Sequence, residues 1–237
     1  THRRAHKFPQ VLAVHDTTEC SFGGKARRDG LGPLRAGGQG FFLHTCLLLT
    51  DDDVHAPLGV AAAETHVRSW DPVPRRKGPR WRPTHNDTES ARWPRQIEVV
   101  QTALGDICTS VIHVGDRETD DYALLAGAVH SSWRFVFRMS HDRRIVPATD
   151  DGARKAREHV RGTTQGRCER WVALSERTAT TPHQRTINPS RAGRMARLLF
   201  DATTITLVRP ENQPLTLPAT LTLNVVRVWE PETPAGE

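Results

Sequence analysis

A mixed α/β sheet with flanking helices, followed by a β-rich subdomain, is the fold class this sequence predicts. Three observations carry that expectation. The run VIHV at 111–114 is apolar and β-branched, and it stops at Gly115 and Asp116 before a polar segment that opens a helix. A second apolar run, VLAV at 11–14, ends the same way at His15 and Asp16. Beyond Ser140 the pattern changes to short segments in β style, separated by Pro-, Asn- and Arg-rich turns.

In chain order, residues 1–10 form a basic arm (Arg3, Arg4, Lys7) that enters the first strand at 11–14. Residues 19–40 hold a cluster of glycines and basic residues that matches no phosphate-loop pattern and reads as a flexible loop. FFLHTCLLLT at 41–50 suits a central strand covered on both faces. A third strand follows at 57–67, and the acidic turn of Asp51, Asp52 and Asp53 is too short for a parallel crossover. Residues 70–86 make a Pro- and Arg-rich loop whose basic residues, with Trp70 and Trp81, could grip a nucleic-acid backbone. Pro94 fits a helix's first turn, with Ile97, Val100, Gln101 and Leu104 at helical spacing behind it. A strand at 111–115, a helix from 119 to about 129 and a strand at 134–139 complete the first part. Three antiparallel strands, helix, strand, helix, strand is the ribonuclease-H-like layout. In it the first and fourth strands are neighbours, which would bring Asp16 beside Asp116. The expected division is a partial ribonuclease-H-like catalytic core over 1–144 and a β-rich insertion subdomain over 145–237. The latter has a short helix near 153–159 and strands at 168–174, 197–208 and 221–228.

Composition narrows the partners. The 237 residues carry a net charge of +6, and Arg supplies nearly all of the positive charge. Guanidinium groups favour bidentate contacts with phosphate, so nucleic acid is preferred over a membrane surface as the polyanion. An Arg bias set by genome composition explains the same excess. No apolar run reaches the ~20 residues that span a bilayer, and no signal-peptide pattern opens the chain, so a cytoplasmic location is expected. The four cysteines (Cys20, Cys46, Cys108, Cys168) form no C-x-x-C pair and are expected to be reduced. The opening on Thr1 and the loop-like ending PETPAGE suggest a segment of something longer.

VLAVHDTTECSF, GGQGFFLHTCLLLT, VIHVGDRETDDY and RFVFRMSHDRR, in that order, resemble the DDE transposases of the IS4 superfamily. The likeness extends over nearly the whole chain, and its most specific pieces are Asp-Thr-Thr after one strand and Asp-Arg-Glu-x-Asp after another. It implies cut-and-paste DNA transposition: metal-dependent hydrolysis and strand transfer at transposon ends, with Mg2+ as cofactor and Mn2+ as a substitute. Asp16 and Asp116 match the first two acids of the metal-binding triad. Arg138 matches the arginine that touches DNA at the active site, Arg117 the arginine beside the second acid, and Arg143 joins them as a DNA contact. The implied partner is double-stranded DNA at transposon ends, and the full-length protein is expected to act as a homodimer. Position 121 departs from the pattern, being Asp121 where an apolar residue is usual. The third acid of the family lies in a Tyr-x2-Arg-x3-Glu-x6-Lys signature expected beyond Glu237, so this segment alone is expected to be nearly inactive.

Two carboxylates on one sheet edge hold divalent metal for phosphate chemistry because Mg2+ demands oxygen ligands. A lone strand-end Asp is more often a cap or turn residue. Glu118 and Asp120 read first as acids opposing a helix dipole, although Glu118 could complete the site. Arg138 could also be a buried ion-pair partner; His15 points away from Asp16 on alternation, and His15 and His113 both read as packing residues or as supports behind the acids. Thr17 and Thr18 are expected to satisfy backbone groups. Two rival functions stand beside the transposase: a catalytically inactive DNA-binding remnant, and a host nuclease of ribonuclease-H type with further acids on the same edge.

Overall fold

The computed structural model describes residues 1–24, 26–35, 37–70, 91–149, 152, 154–187 and 189–232. The chain divides into two compact units, Thr1–His141 with Glu211–Leu217, and Asp142–Pro210 with Pro218–Glu237.

The first unit is mixed α/β. In order it contains α1 (His2–Ala5), β1 (Val11–Phe22), β2 (Gly32–Pro33), β3 (Gln39–Thr50), β4 (Pro57–His66), α2 (Arg92–Leu104), β5 (Val111–Gly115), α3 (Tyr122–His130) and β6 (Arg134–Phe137). One sheet holds all six strands: β4 pairs with β3, β3 with β1, β1 with β5 and β5 with β6, while the short β2 pairs with the start of β3. The β1–β3 and β3–β4 pairs are antiparallel, and β1–β5 and β5–β6 are parallel. Chain chemistry accounts for that switch. Between β3 and β4 the Asp52 carboxylate accepts hydrogen bonds from the Val54 and His55 backbone N–H groups and from the Thr50 hydroxyl, closing a tight turn that permits only an antiparallel return. Between β4 and β5 the chain instead forms α2, and a helical crossover is what a parallel neighbour requires.

α2 covers one face of the sheet. Its buried residues are Arg92, Trp93, Gln96, Ile97, Val100 and Leu104, a stripe at helical spacing. Val100 and Leu104 join Val11, Ala13, Cys46, Leu48 and Val111 in the principal core, while Trp93 and Ile97 pack with Leu124 of α3. Fully burying each of these larger apolar side chains contributes about 1.5–3 kcal/mol.

Three expectations need correction. β1 does not end near Asp16; it continues to Phe22 because β3 pairs with it over the whole length, from Val11↔Thr50 to Phe22↔Gln39. The stretch 19–40 is accordingly not a single loop, since both its ends belong to strands. There Gly40 lies so close to β1 that a Cβ would stand 2.0 Å from the Cys20 carbonyl oxygen. The helix expected from 119 starts at Tyr122, because Asp121 is its N-cap, its carboxylate accepting from the Ala123 and Leu124 N–H groups. That role explains an acid where the resemblance calls for an apolar residue. The loop expected at 70–86 lies outside the described residues except for Trp70.

The second unit contains α4 (Ala156–Thr163), β7 (Cys168–Leu174), α5 (Pro182–Ile187), β8 (Arg194–Val208) and β9 (Thr220–Trp229). Its antiparallel sheet has the order β7-β8-β9, and α4 buries Ala156 and Val160. The short helix sits slightly later than expected, and α5 was not expected. Among the described residues, no helix is long and apolar enough to cross a membrane.

Candidate active site

Strand register brings the predicted acids together. The parallel β1–β5 pairing ends at His15↔Gly115, so Asp16 and Asp116 are the next residues on adjacent strands. The β5–β6 pairing ends at Gly115↔Phe137, and the Arg138 N–H donates to the Gly115 carbonyl at 3.0 Å. Asp16, Asp116 and Arg138 therefore form a row across the carboxyl ends of three parallel-paired segments. Pleat alternation puts Asp16 and Asp116 on the face opposite His15 and His113. All three side chains of the row are exposed.

Each carboxylate is aimed by backbone. Asp16 Oδ1 accepts from the Thr17 N–H at 2.8 Å. Asp116 Oδ1 accepts from the Glu118 N–H at 2.9 Å, as the cap of a 3-10 turn over Arg117–Thr119. Neither carboxylate has a cation partner among the described residues, and neither guanidinium of Arg117 and Arg138 has a carboxylate partner there. Arg138 is thus not a buried ion-pair partner.

The turn also explains Gly115. Thr119 folds back over it, its hydroxyl donating to the Asp116 carbonyl at 2.6 Å, and a Cβ on residue 115 would stand 2.2 Å from Thr119 Cγ2. Gly115→Ala is expected to cost about 1–3 kcal/mol as an overpacked site. Urea denaturation of Gly115→Ala, alone and with Thr119→Ser, checks this: removing the Thr119 methyl should recover part of the loss, and no recovery would disprove the clash.

Behind the row, under α2, lies a buried polar chain. The Gln101 amide donates to His113 Nε2 (2.7 Å), His113 Nδ1 donates to His15 Nε2 (2.9 Å), and His15 Nδ1 donates to Gln96 Oε1 (3.0 Å). These directions follow from giving Gln96 its donor role toward the His44 carbonyl (2.9 Å). On the other side, Arg92 Nε donates to Thr17 Oγ1 (3.3 Å), and Thr17 donates to His44 Nδ1 (2.8 Å). Thr17 thus serves side chains, not the backbone groups expected. Burial lowers the pKa of His15 from 6.5 to about 4 against the opposing Gln96 hydrogen bond. His113 falls to about 3 through burial and the nearby His15. His44 falls to about 3, first through burial, then through His15 and Arg92. All three rings are neutral at pH 7.

On the α2 side of the edge is a cavity of about 390 Å³, lined by Arg35, Arg92, Trp93, Arg117, Glu118, Asp120, Asp121 and His141. Asp16 and Asp116 stand outside its lining. Glu118 is gripped there by two arginines, Arg35 Nη1 on Oε1 at 2.6 Å and Arg92 Nη2 on Oε2 at 2.5 Å. Burial resists ionisation of Glu118, but the hydrogen bonds and charges of Arg35 and Arg92 outweigh it and lower its pKa. Glu118 is therefore spoken for, neither a simple dipole partner nor a spare metal ligand. Asp120 is buried and accepts from the Ser140 and His141 N–H groups, both at 2.7 Å. It pins the segment just after Arg138, a role that helix-dipole reasoning missed.

Of the predicted residues, Asp16, Asp116, Arg117 and Arg138 gather in the first unit. Arg143 lies in the second, where its carbonyl accepts from the Ala156 N–H. Arg35, Arg92 and Gln96 were not anticipated. Only Arg92 and Gln96 left a signal, as polar residues on the same stripe as Ile97 and Val100. Among the described residues no group of three or more His, Cys, Asp or Glu side chains is placed to hold a metal ion. No family model matches the sequence.

Proposed function

We propose that the first unit is the ribonuclease-H-like core of a DDE-type DNA transposase of the IS4 superfamily, acting in the cytoplasm on double-stranded DNA at transposon ends. The observation that carries this reading is the register of Asp16 beside Asp116, with Arg138 next in the row. The sheet order, with β1 between antiparallel β3 and parallel β5, supports the ribonuclease-H-like assignment over a generic mixed sheet.

The donor set suits Mg2+ or Mn2+. Each carboxylate keeps one oxygen on a backbone N–H and leaves the other without a hydrogen-bond partner among the described residues, and Mg2+ is commonly held by one or two carboxylates plus substrate phosphate. When bound, the metal would activate water or a 3′-hydroxyl for in-line attack on a phosphodiester. Asp16 and Asp116 would hold it, each oriented by the backbone N–H it accepts. Arg138 would grip a phosphate oxygen of the strand, a charge-assisted contact that fixes register and carries no sequence information. With two acids in place and no third His, Cys, Asp or Glu side chain grouped with them among the described residues, strand cleavage should be weak.

Calorimetry with Mn2+ tests the centre directly. One site is expected in the wild-type chain, weakened at least tenfold by Asp116→Asn or Asp16→Asn with the thermal melt unchanged. Unchanged binding in both variants would remove these residues from any metal site. A nicking assay on supercoiled DNA with Mg2+ or Mn2+ separates the transposase core from a complete host nuclease: robust cleavage abolished by Asp16→Ala would favour the nuclease.

A further inference from the structure

Glu118 fills a seat that is built like a phosphate site. Two guanidinium groups from distant elements, Arg35 before β3 and Arg92 at the start of α2, converge on its two oxygens, one each. A bidentate or paired-arginine grip on an oxyanion serves carboxylate and phosphate alike. The two halves differ in exposure. Arg92 has a side chain only 7% exposed and is anchored on Thr17, whereas Arg35 is 46% exposed and Glu118 31%. Glu118 and Arg35 are thus reachable from solvent, while the inner arginine is held by its Thr17 contact. Thr17, which holds Arg92, alternates to the face opposite Asp16, so the seat lies at the same sheet edge as the row of acids but on its α2 side. It opens into the cavity that Arg117 also lines.

We propose that Arg35 and Arg92 form a subsite for a backbone phosphate of a DNA strand that passes over the sheet edge carrying Asp16 and Asp116, and that Glu118 occupies this subsite until DNA displaces it. This rests on the DNA-processing reading above. Glu118 is then a built-in competitor: its removal strengthens DNA binding, where a purely structural ion pair would weaken it or do nothing.

The test is binding of a fluorescein-labelled duplex oligonucleotide to the 237-residue chain in EDTA, followed by anisotropy over a range of salt. Arg35→Ala should weaken binding about tenfold and lower the slope of log affinity against log salt by about one. Glu118→Gln should tighten binding about three- to tenfold. Glu64→Gln, which discharges the unrelated Glu64–Arg95 pair in the same unit, should change affinity less than twofold. Thermal melts establish that each variant is folded. Equal effects of Glu118→Gln and Glu64→Gln would overturn the proposal, as would an unmoved Arg35→Ala. Inorganic phosphate is added as a second competitor: displacement of DNA that depends on Arg35 supports the subsite. Phosphate binding that leaves DNA insensitive to Arg35→Ala marks a free-phosphate site and overturns the strand assignment. A wild-type chain that binds no DNA fails the functional reading itself, a result distinct from wild-type binding that Arg35→Ala does not touch.

Discussion

Acidification from pH 6.5 to 4 is expected to unfold the first unit, with the midpoint between about pH 4 and 5. His15, His44 and His113 titrate at about 4, 3 and 3 in the folded chain, against 6.5 when unfolded. A folded pKa below the unfolded one means that the unfolded chain takes up protons first. The stabilising contribution is complete above pH 6.5 and is lost as the pH falls toward the folded values. Each histidine contributes a slope of about 1.4 kcal/mol per pH unit in that window, and the three together at most ~4 kcal/mol per unit. A net stability of about 5–10 kcal/mol, in the lower part of the usual range, is exhausted within two or three units on that slope. The hydrogen-bond directions give the mechanism. His15 Nε2 accepts from His113 Nδ1, so a proton added to His15 sets two donors face to face in a site without water access. Tryptophan fluorescence and circular dichroism through an acid titration check this. His113→Gln should reduce the slope by about a third, and stability that stays flat down to pH 4 would disprove the account.

How much of this could be read from the residues depended on whether a neighbour was needed. VIHVG is legible alone, being short, β-branched and bounded by Gly115 and Asp116, and the expected strand matches β5 to the residue. The second half of β1, HDTTECSF, has no apolar alternation and is a strand only because β3 lies beside it. The same holds within the site. The row of Asp16, Asp116 and Arg138 follows from strand order, which element spacing gives. Arg35 could not be anticipated, because its partner Glu118 is 83 positions away and nothing in the 19–40 stretch points to it. Arg92 and Gln96 were partly legible: polar residues on the stripe of Ile97 and Val100 ask for buried partners, and they find Glu118, Thr17, His15 and the His44 carbonyl.

Trp93→Ala is the single substitution expected to do the most damage. The side chain is 2% exposed, packs with Ile97 and Leu124, and meets the His44 ring edge-on at a centroid distance of 4.4 Å. Truncating a buried Trp costs about 3–5 kcal/mol through lost transfer energy and the cavity left behind. A second consequence separates this site from an ordinary core position. His44 Nε2 is buried without a hydrogen-bond partner, and with Nδ1 accepting from Thr17 the proton sits on Nε2 of the ring that the indole meets edge-on. Removing the indole lets water reach that nitrogen, so His44 can charge in the folded state and its pKa rises toward 6.5. Trp93→Ala should therefore lower stability at pH 7 yet flatten the acid slope by up to about 1.4 kcal/mol per pH unit. Trp93→Phe, which keeps an aromatic roof, should retain most of the slope. Urea titrations at pH 7 and pH 5.5 on the two variants measure both effects, and an equal loss at both pH values in Trp93→Ala would show that the indole packs against His44 without controlling its proton.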